Sequence, residues 1–401
     1  MTMKVIQRKR HWACNSPSRM RSDAQLRGKP LQHRHQKASK AMARMIYHVP
    51  YPLNPEGKTG SALRPMRMLE AFREIGYDVV VVSGESKQRR ALIKELKARI
   101  GAGEKFDFVY SESHTMPTAL TDADHLPHHP LMDVAFLRFC RRNGIKVGLF
   151  YRDIYWRFPE YKQRLNPLVH GGTRMLYNFD LLAYKFAVDR LYLPSLGMGK
   201  FVPHFPAERH EALPPGGEIN DAVHPGDDKI RLFYVGGLGG YYNMHDCVRA
   251  VAASKNAFLT ICTREDEWQA VASSYEPLMN DRIEVVHRHG ADLVPYYAKS
   301  DICMLFIEPS IYRSFAAPIK FAEYIGFGKP VIVNEGTNVA EFVQENGNGW
   351  TIPFDQEALT MLLDDLAQNP DKVSQVAETA RRIRADNTWA ARARQVARQL
   401  T

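Results

Sequence analysis

Residues 316–332 read AAPIKFAEYIGFGKPVI and place a helix start, a helix end and a buried strand close together. Pro318 suits the beginning of a helix, where its missing N–H is not needed. Lys320 then falls in the first turn, where a cation opposes the helix dipole unless an anion binds there. Glu323 follows three residues later and projects from the same face. The stretch therefore predicts a helix-to-strand unit with an anion site at its start.

The spacing of Lys320 and Glu323 suggests what the anion is. Three residues correspond to roughly 4–5 Å along a helix axis. That offset suits a diphosphate at the helix end and a ribose farther along, with the carboxylate accepting from two ribose hydroxyls. The alternative is an ordinary amphipathic helix in which both side chains are solvated.

Strand-like and helical segments alternate on both sides of this stretch. The runs 78–83 (DVVVVS) and 230–235 (IRLFYV) are apolar and rich in β-branched or aromatic residues, as in buried parallel strands. The alternation predicts an α/β protein with two Rossmann-like domains facing each other across a cleft. The predicted divisions are a tail at 1–44, an N-terminal domain at 45–205, a linker at 206–228, a C-terminal domain at 229–370, and C-terminal helices at 371–401.

The positive charge is concentrated in the tail. The chain has a formal net charge of +10, but residues 1–45 contain twelve Lys or Arg residues against Asp23 alone. The remainder is nearly neutral, so the charge does not indicate a nucleic-acid partner for the folded body. We expect the tail to be disordered, and Met42 and Met45 offer alternative starting points just before the first strand.

Other compositional features favour a cytoplasmic protein. The five cysteines are scattered without metal-ligand spacing, and Cys262 and Cys303 lie in apolar runs typical of reduced, buried thiols. No apolar stretch approaches the roughly 18 residues of a membrane span, and the first residues do not resemble a secretory signal.

Two glycine-containing turns are candidate parts of the cleft. Residues 236–240 (GGLGG) follow a strand, and Gly236 and Gly237 would let the backbone approach a diphosphate or a sugar. The loop 57–61 (GKTGS) is not a P-loop, since its Lys precedes the second Gly. We expect Gly60, Ser61 and Arg64 to face the cleft on the acceptor side. Either turn is also compatible with a connection that binds nothing.

A polar pair follows another strand. Arg152 and Asp153 follow residues 146–150 after Tyr151, at the end of a parallel strand where ligands bind. Asp153 is the candidate for orienting or deprotonating a hydroxyl, and Arg152 for neutralising phosphate or holding Asp153. A buried structural Arg–Asp pair is the alternative.

The stretch 318–332 resembles the donor-binding helix of GT-B glycosyltransferases, particularly the family 4-like group. Members of that group show a P-x-K-x-x-E-Y…G-K-P-V-I pattern. The resemblance extends to the turn at 234–237 and to residues 60–84, and it implies that Lys320 or nearby amides hold the donor diphosphate while Glu323 binds the ribose. It also implies that the sugar is transferred with retention of configuration. Many relatives build cell-surface glycans, so the resemblance implies a similar role.

The chain departs from the family pattern at two places. A second Glu, eight residues before Glu323 in many relatives, is replaced by Phe315. The Arg and Lys that often follow the first donor-domain strand are missing as well, and Arg264 is the candidate substitute. Both departures concern the donor sugar and phosphates more than the nucleoside.

These features together predict transfer of a sugar from a nucleoside diphosphate sugar to a hydroxyl acceptor. No metal is expected, since no Asp-x-Asp follows a donor-domain strand, and no other cofactor is implied. Aromatic and basic residues at 151–164 suggest contact with an anionic membrane surface, where a glycan or lipid-linked acceptor would be used. The alternatives are a nucleotide-sugar epimerase of related fold and a non-catalytic nucleic-acid-binding protein that acts through the tail.

Overall fold

The computed structural model describes residues 43–57, 60–159, 161, 166–222, 229–239 and 242–401. Most of the predicted tail, part of the predicted linker and Gly240 lie outside these residues. Within them, two six-stranded parallel sheets carry helices on their faces. The α/β class with two Rossmann-like sheets is therefore confirmed.

The first sheet has the strand order β2-β1-β3-β4-β5-β6. Its strands are β1 (Arg44–His48), β2 (Asp78–Val82), β3 (Phe108–Glu112), β4 (Lys146–Phe150), β5 (Arg190–Leu193) and β6 (His210–Ala212). The helices in this part of the chain are α1 (Gly60–Glu74), α2 (Ser86–Gly101), α3 (Met132–Arg142) and α4 (Pro167–Ala187).

The second sheet has the order β12-β11-β10-β7-β8-β9. Its strands are β7 (Ile230–Val235), β8 (Ala257–Cys262), β9 (Ile283–Val286), β10 (Ile302–Leu305), β11 (Val331–Asn334) and β12 (Gly349–Ile352). The helices are α5 (His245–Ala253), α6 (Glu265–Tyr275), α7 (Val294–Lys299), α8 (Ile319–Gly326), α9 (Asn338–Asn346), α10 (Gln356–Gln368), α11 (Pro370–Arg382) and α12 (Trp389–Leu400).

The chain returns to the first sheet at its end. Apolar residues of α12, including Trp389, Val396 and Leu400, pack with residues of β1 and α1 in one core cluster. Gln395 donates from Nε2 to the Ala212 carbonyl at 2.8 Å. Burial of this helix ties the two halves of the chain together, since it follows the second sheet but packs on the first.

The predicted linker differs from the structure at β6. Residues 210–212 pair in parallel with β5 and form the edge of the first sheet. The sequence HEA is neither apolar nor β-branched, so its pattern does not indicate a strand. Farther along, Gly217 donates to the Asn387 carbonyl at 2.8 Å and lies against the Ala322 backbone, where a side chain would not fit.

Candidate active site in the cleft

The anion site predicted at the start of α8 is built from Lys320 and two tyrosines. Pro318 caps the helix just outside its first residue, so Lys320 is the second helical residue. Its Nζ donates to Tyr234 Oη at 2.9 Å. The same ammonium lies 4.2 Å from the centroid of the Tyr234 ring and 4.9 Å from that of Tyr242. Two aromatic faces thus hold the cation at the helix N-terminus.

The glycine turn after β7 belongs to the same site. Gly236 has φ +143°, a conformation that favours glycine, and a Cβ there would overlap Lys320 Nζ. The Gly237 carbonyl accepts from Tyr234 Oη at 2.7 Å, so this hydroxyl links the turn to Lys320. The structure therefore brings together Gly236, Gly237 and Lys320, three of the predicted donor-site residues.

Electrostatics at Lys320 favour an anionic ligand. Burial and, to a smaller extent, the positive charge of Arg313 lower the pKa of Lys320 to about 7, against opposing effects of Glu323 and Glu267. The guanidinium of Arg313 lies 5.3 Å from the Tyr242 ring centroid. A phosphate bound here would favour the ammonium form of Lys320.

Glu323 lies one turn along α8. Its Oε2 accepts from Tyr297 Oη at 3.1 Å. Burial raises the pKa of the Glu323 carboxyl, while this hydrogen bond and the charge of Lys320 act in the opposite direction. The carboxylate is half-buried and keeps oxygen lone pairs beyond the Tyr297 contact, as binding of ribose hydroxyls requires.

Arg264 lies beside the glycine turn and pairs with acids of α6. Its side chain is 66% exposed and pairs with Glu267, with Asp266 at 3.8 Å. Both acids lie in the first turn of α6, and Glu267 lies against Gly237, with 3.2 Å from Oε2 to the ideal Cβ position. That Arg264 substitutes for the missing basic residues stays a prediction.

The polar pair after β4 separates in the structure. Asp153 accepts from Tyr312 Oη at 2.8 Å and from the Tyr155 amide at 2.8 Å. Burial raises the pKa of its carboxyl, and the Tyr312 hydrogen bond opposes that rise. Arg152 points elsewhere, donating to Tyr51 Oη at 2.8 Å and pairing with Glu112 at 3.3 Å. Arg152 is therefore the partner of a buried carboxylate other than Asp153.

The residues predicted on the acceptor side have different positions. Gly60 faces Ile319 at the start of α8, with a distance of 3.1 Å from its ideal Cβ position to Ile319 Cδ1. The Ser61 carbonyl accepts from an Arg152 nitrogen. Arg64 is only 4% exposed, and its guanidinium lies 3.5 Å from the Phe150 ring centroid. Gly60 and Ser61 thus border the cleft, whereas Arg64 is buried beneath it.

The aromatic segment at 151–164 does not present its rings to a surface. Trp156 is 2% exposed and stacks on Tyr177 with ring centroids 5.0 Å apart. Tyr161 is buried as well, and Phe158 packs against Phe201. These rings fill the core of the first sheet, so the prediction that they rest on a membrane is wrong. Lys162 and Arg164 lie outside the described residues.

Several site residues escaped the sequence analysis. They are Tyr234, Tyr242, Tyr297, Tyr312 and Arg313. Tyr234 stands two residues before Gly236, so its position next to the glycine turn could be recognised in the sequence. Tyr312 and Arg313 stand just before residue 316 but have no periodic pattern, and their roles depend on how the loop after β10 folds.

With this geometry in place, comparisons with known proteins define the class. Residues 218–383 match the family model described as "Glycosyl transferases group 1". This match contains the second sheet and α8, and it supports neither an epimerase nor a nucleic-acid-binding protein. Residues 218–383 therefore form a glycosyltransferase group 1 domain, and the chain has the GT-B fold that the donor-helix resemblance implied.

Solved structures agree on the fold. The chain is similar to Anabaena HepE in complex with UDP and glucose, with 14% identity, coverage of 89% of this chain and 99% of that chain, and a TM-score of 0.60. Sucrose-phosphate synthase from Thermosynechococcus elongatus is 13% identical, with coverage of 89% of this chain and 98% of that chain and a TM-score of 0.59. WaaG, a glycosyltransferase involved in lipopolysaccharide biosynthesis, is 16% identical, with coverage of 89% of this chain and 99% of that chain and a TM-score of 0.55. No curated protein sequence matches the chain.

Proposed function

We propose that the protein transfers a hexose from a nucleoside diphosphate sugar to a hydroxyl group of a cell-surface glycan or its lipid-linked precursor, with retention of configuration. The observation that carries the donor assignment is the site formed by Lys320, Gly236 and Glu323 at the start of α8. The structure of Anabaena HepE contains UDP and glucose, and it makes UDP-sugars the first donors to test.

Charge on the departing diphosphate is the main demand of this reaction. Lys320 and the amides at the N-terminus of α8 would stabilise that charge as the bond to the sugar breaks. Glu323 would hold the ribose and so fix the nucleotide along the helix. Asp153, on the opposite side of the cleft, would orient or deprotonate the acceptor hydroxyl. We propose no metal or organic cofactor, so activity should survive chelation with EDTA.

Thermal unfolding tests the donor assignment. A ligand at 100 times its Kd stabilises the native state by about 2.7 kcal/mol. UDP-, GDP- and dTDP-sugars should therefore differ in the rise of melting temperature that each causes, with one nucleotide class giving the largest rise. No rise with any of them at millimolar concentration would contradict a nucleoside diphosphate sugar as donor.

A different surface supports work at the cytoplasmic face of a membrane. No helix among the described residues is long and apolar enough to cross a membrane. Helix α4, however, exposes a row of large apolar side chains: Leu168, Val169, Met175, Phe179, Leu182 and Phe186. Its charged side chains at the surface are Arg174 and Lys185, and its one acid, Asp180, is buried. Apolar residues flanked by cations suit an anionic lipid surface.

Liposome flotation tests this surface. The wild type should float with anionic vesicles, and the double variant Met175→Glu, Leu182→Glu should not. Met361→Glu is the matched control, because Met361 is an equally exposed methionine on α10. If the α4 variant floats as well as the control, α4 is not the membrane contact.

A further inference from the structure

We propose that Arg313 supplies the second cation that binds the donor diphosphate, in place of the basic residues missing after β7. This assignment rests on the proposed donor site. Arg313 and Lys320 lie over the same aromatic ring, with the guanidinium carbon 5.3 Å and the ammonium nitrogen 4.9 Å from the Tyr242 centroid. The two cations therefore lie near each other at the start of α8, and the charge of Arg313 acts on Lys320.

The two charges at the start of α8 repel each other. Burial lowers the pKa of Arg313 as well as that of Lys320, and the charge of Arg313 further disfavours the ammonium form of Lys320. The ring of Tyr242 attracts both cations but carries no net charge. A diphosphate bound beside both would offset their repulsion. The planar guanidinium is also suited to two phosphate oxygens at once, while Lys320 acts as a point charge.

The loop after β10 holds Arg313 in position from both sides. The Arg313 amide donates to the Ser310 carbonyl at 3.0 Å in a tight turn. Two residues later, Phe315 is 3% exposed and its carbonyl accepts from Ser195 Oγ at 2.7 Å. Phe315 thus anchors the loop on the first sheet, at the position where relatives often have a Glu. This anchoring reduces the freedom that Arg313 would lose on binding.

Arg382 provides the matched control. It is an exposed arginine on α11 that donates to Thr379 Oγ1 at 2.8 Å within the same helix. UDP is titrated by isothermal calorimetry into the full-length wild type, Arg313→Met, Arg313→Lys and Arg382→Met. Uridine, which has no phosphate, serves as the ligand control.

We expect Arg313→Met to weaken UDP binding by about 10- to 100-fold, as for loss of hydrogen bonds to a charged group. Arg313→Lys should recover part of that loss, Arg382→Met should stay within about twofold of wild type, and uridine affinity should not change. Equal UDP affinity of Arg313→Met and Arg382→Met, in variants with wild-type melting temperatures, overturns the role of Arg313 and leaves the donor site itself in place. Failure of the wild type to bind any nucleoside diphosphate overturns the donor site itself.

Discussion

The two sides of the cleft each hold a pair of cations, one around a buried carboxylate and the other over an aromatic ring. On the N-terminal side, Glu112 is fully buried, 3.7 Å from an Arg64 nitrogen and 3.3 Å from an Arg152 nitrogen. Hydrogen bonds from Tyr110 at 2.9 Å and Tyr47 at 3.4 Å complete its surroundings. This carboxylate belongs to the protein and pairs with both arginines, so the two cations there form part of the buried core without a ligand.

On the donor side, Lys320 and Arg313 lie over the Tyr242 ring. Residue type alone therefore does not distinguish structural cations from ligand-binding ones. What separates them is the group between the charges. Glu112 pairs directly with both arginines and makes them part of the core, whereas the uncharged Tyr242 ring provides no ion pair, which a bound phosphate can supply.

The largest expected effect comes from breaking the N-terminal arrangement. Glu112→Gln leaves Arg64 and Arg152 buried around a neutral amide, so the free energy of unfolding should fall by about 3–5 kcal/mol. Urea denaturation measures this change. The control Glu211→Gln removes a partly exposed ion pair with Arg190 and should cost at most about 1 kcal/mol. Equal losses in the two variants would mean that Glu112 contributes no more to stability than a partly exposed ion pair does.

Asp153 lies next to Arg152 in the sequence, but it accepts from Tyr312 whereas Arg152 pairs with Glu112. If Asp153 acts on the acceptor hydroxyl, Asp153→Asn should lower kcat by about 100-fold or more. UDP affinity should stay within about twofold, since the donor site is built by other residues. Steady-state kinetics and titration together test this, and near-normal turnover would make Asp153 a structural partner of Tyr312.

A smaller effect is expected at Glu323. Glu323→Gln exchanges one ribose acceptor for an amide and should weaken UDP binding by about 1–3 kcal/mol. The melting temperature of the free protein should change little, because the carboxylate is half-buried and its described partner is Tyr297. Unchanged UDP affinity in this variant would argue against a ribose at this part of α8.

The pKa of Lys320 gives the smallest and most specific signal. An anion favours the ammonium form, so the pKa of Lys320 should rise above about 7 when UDP binds. UDP affinity is then greatest below pH 7 and falls as the pH rises through the pKa of the free site. At pH 7.5, calorimetry in buffers of different ionisation enthalpy should show uptake of roughly half to one proton per UDP bound. No uptake would mean that Lys320 is already charged or does not contact the phosphate.

The sequence predicted the fold because its signals are local. Runs such as 78–83 and 230–235 are apolar over a strand length, and residues 316–332 combine a helix start with a charge that needs an anion. The parts that it did not predict depend on tertiary contacts. The partner of Arg152 lies 40 positions away at Glu112, and Tyr312 reaches Asp153 across 159 positions. A short polar strand such as β6 also has no pattern of its own.

The variant Lys320→Met tests directly whether Lys320 and Arg313, the two cations over Tyr242, bind a diphosphate. Affinities of UDP and uridine should be compared by titration in the wild type and in this variant. UDP should bind the wild type about 100-fold or more tightly than uridine does. In Lys320→Met this advantage of UDP should shrink by at least about tenfold, with no loss of thermal stability. An equal advantage of UDP over uridine in the wild type and in Lys320→Met would contradict diphosphate binding by Lys320.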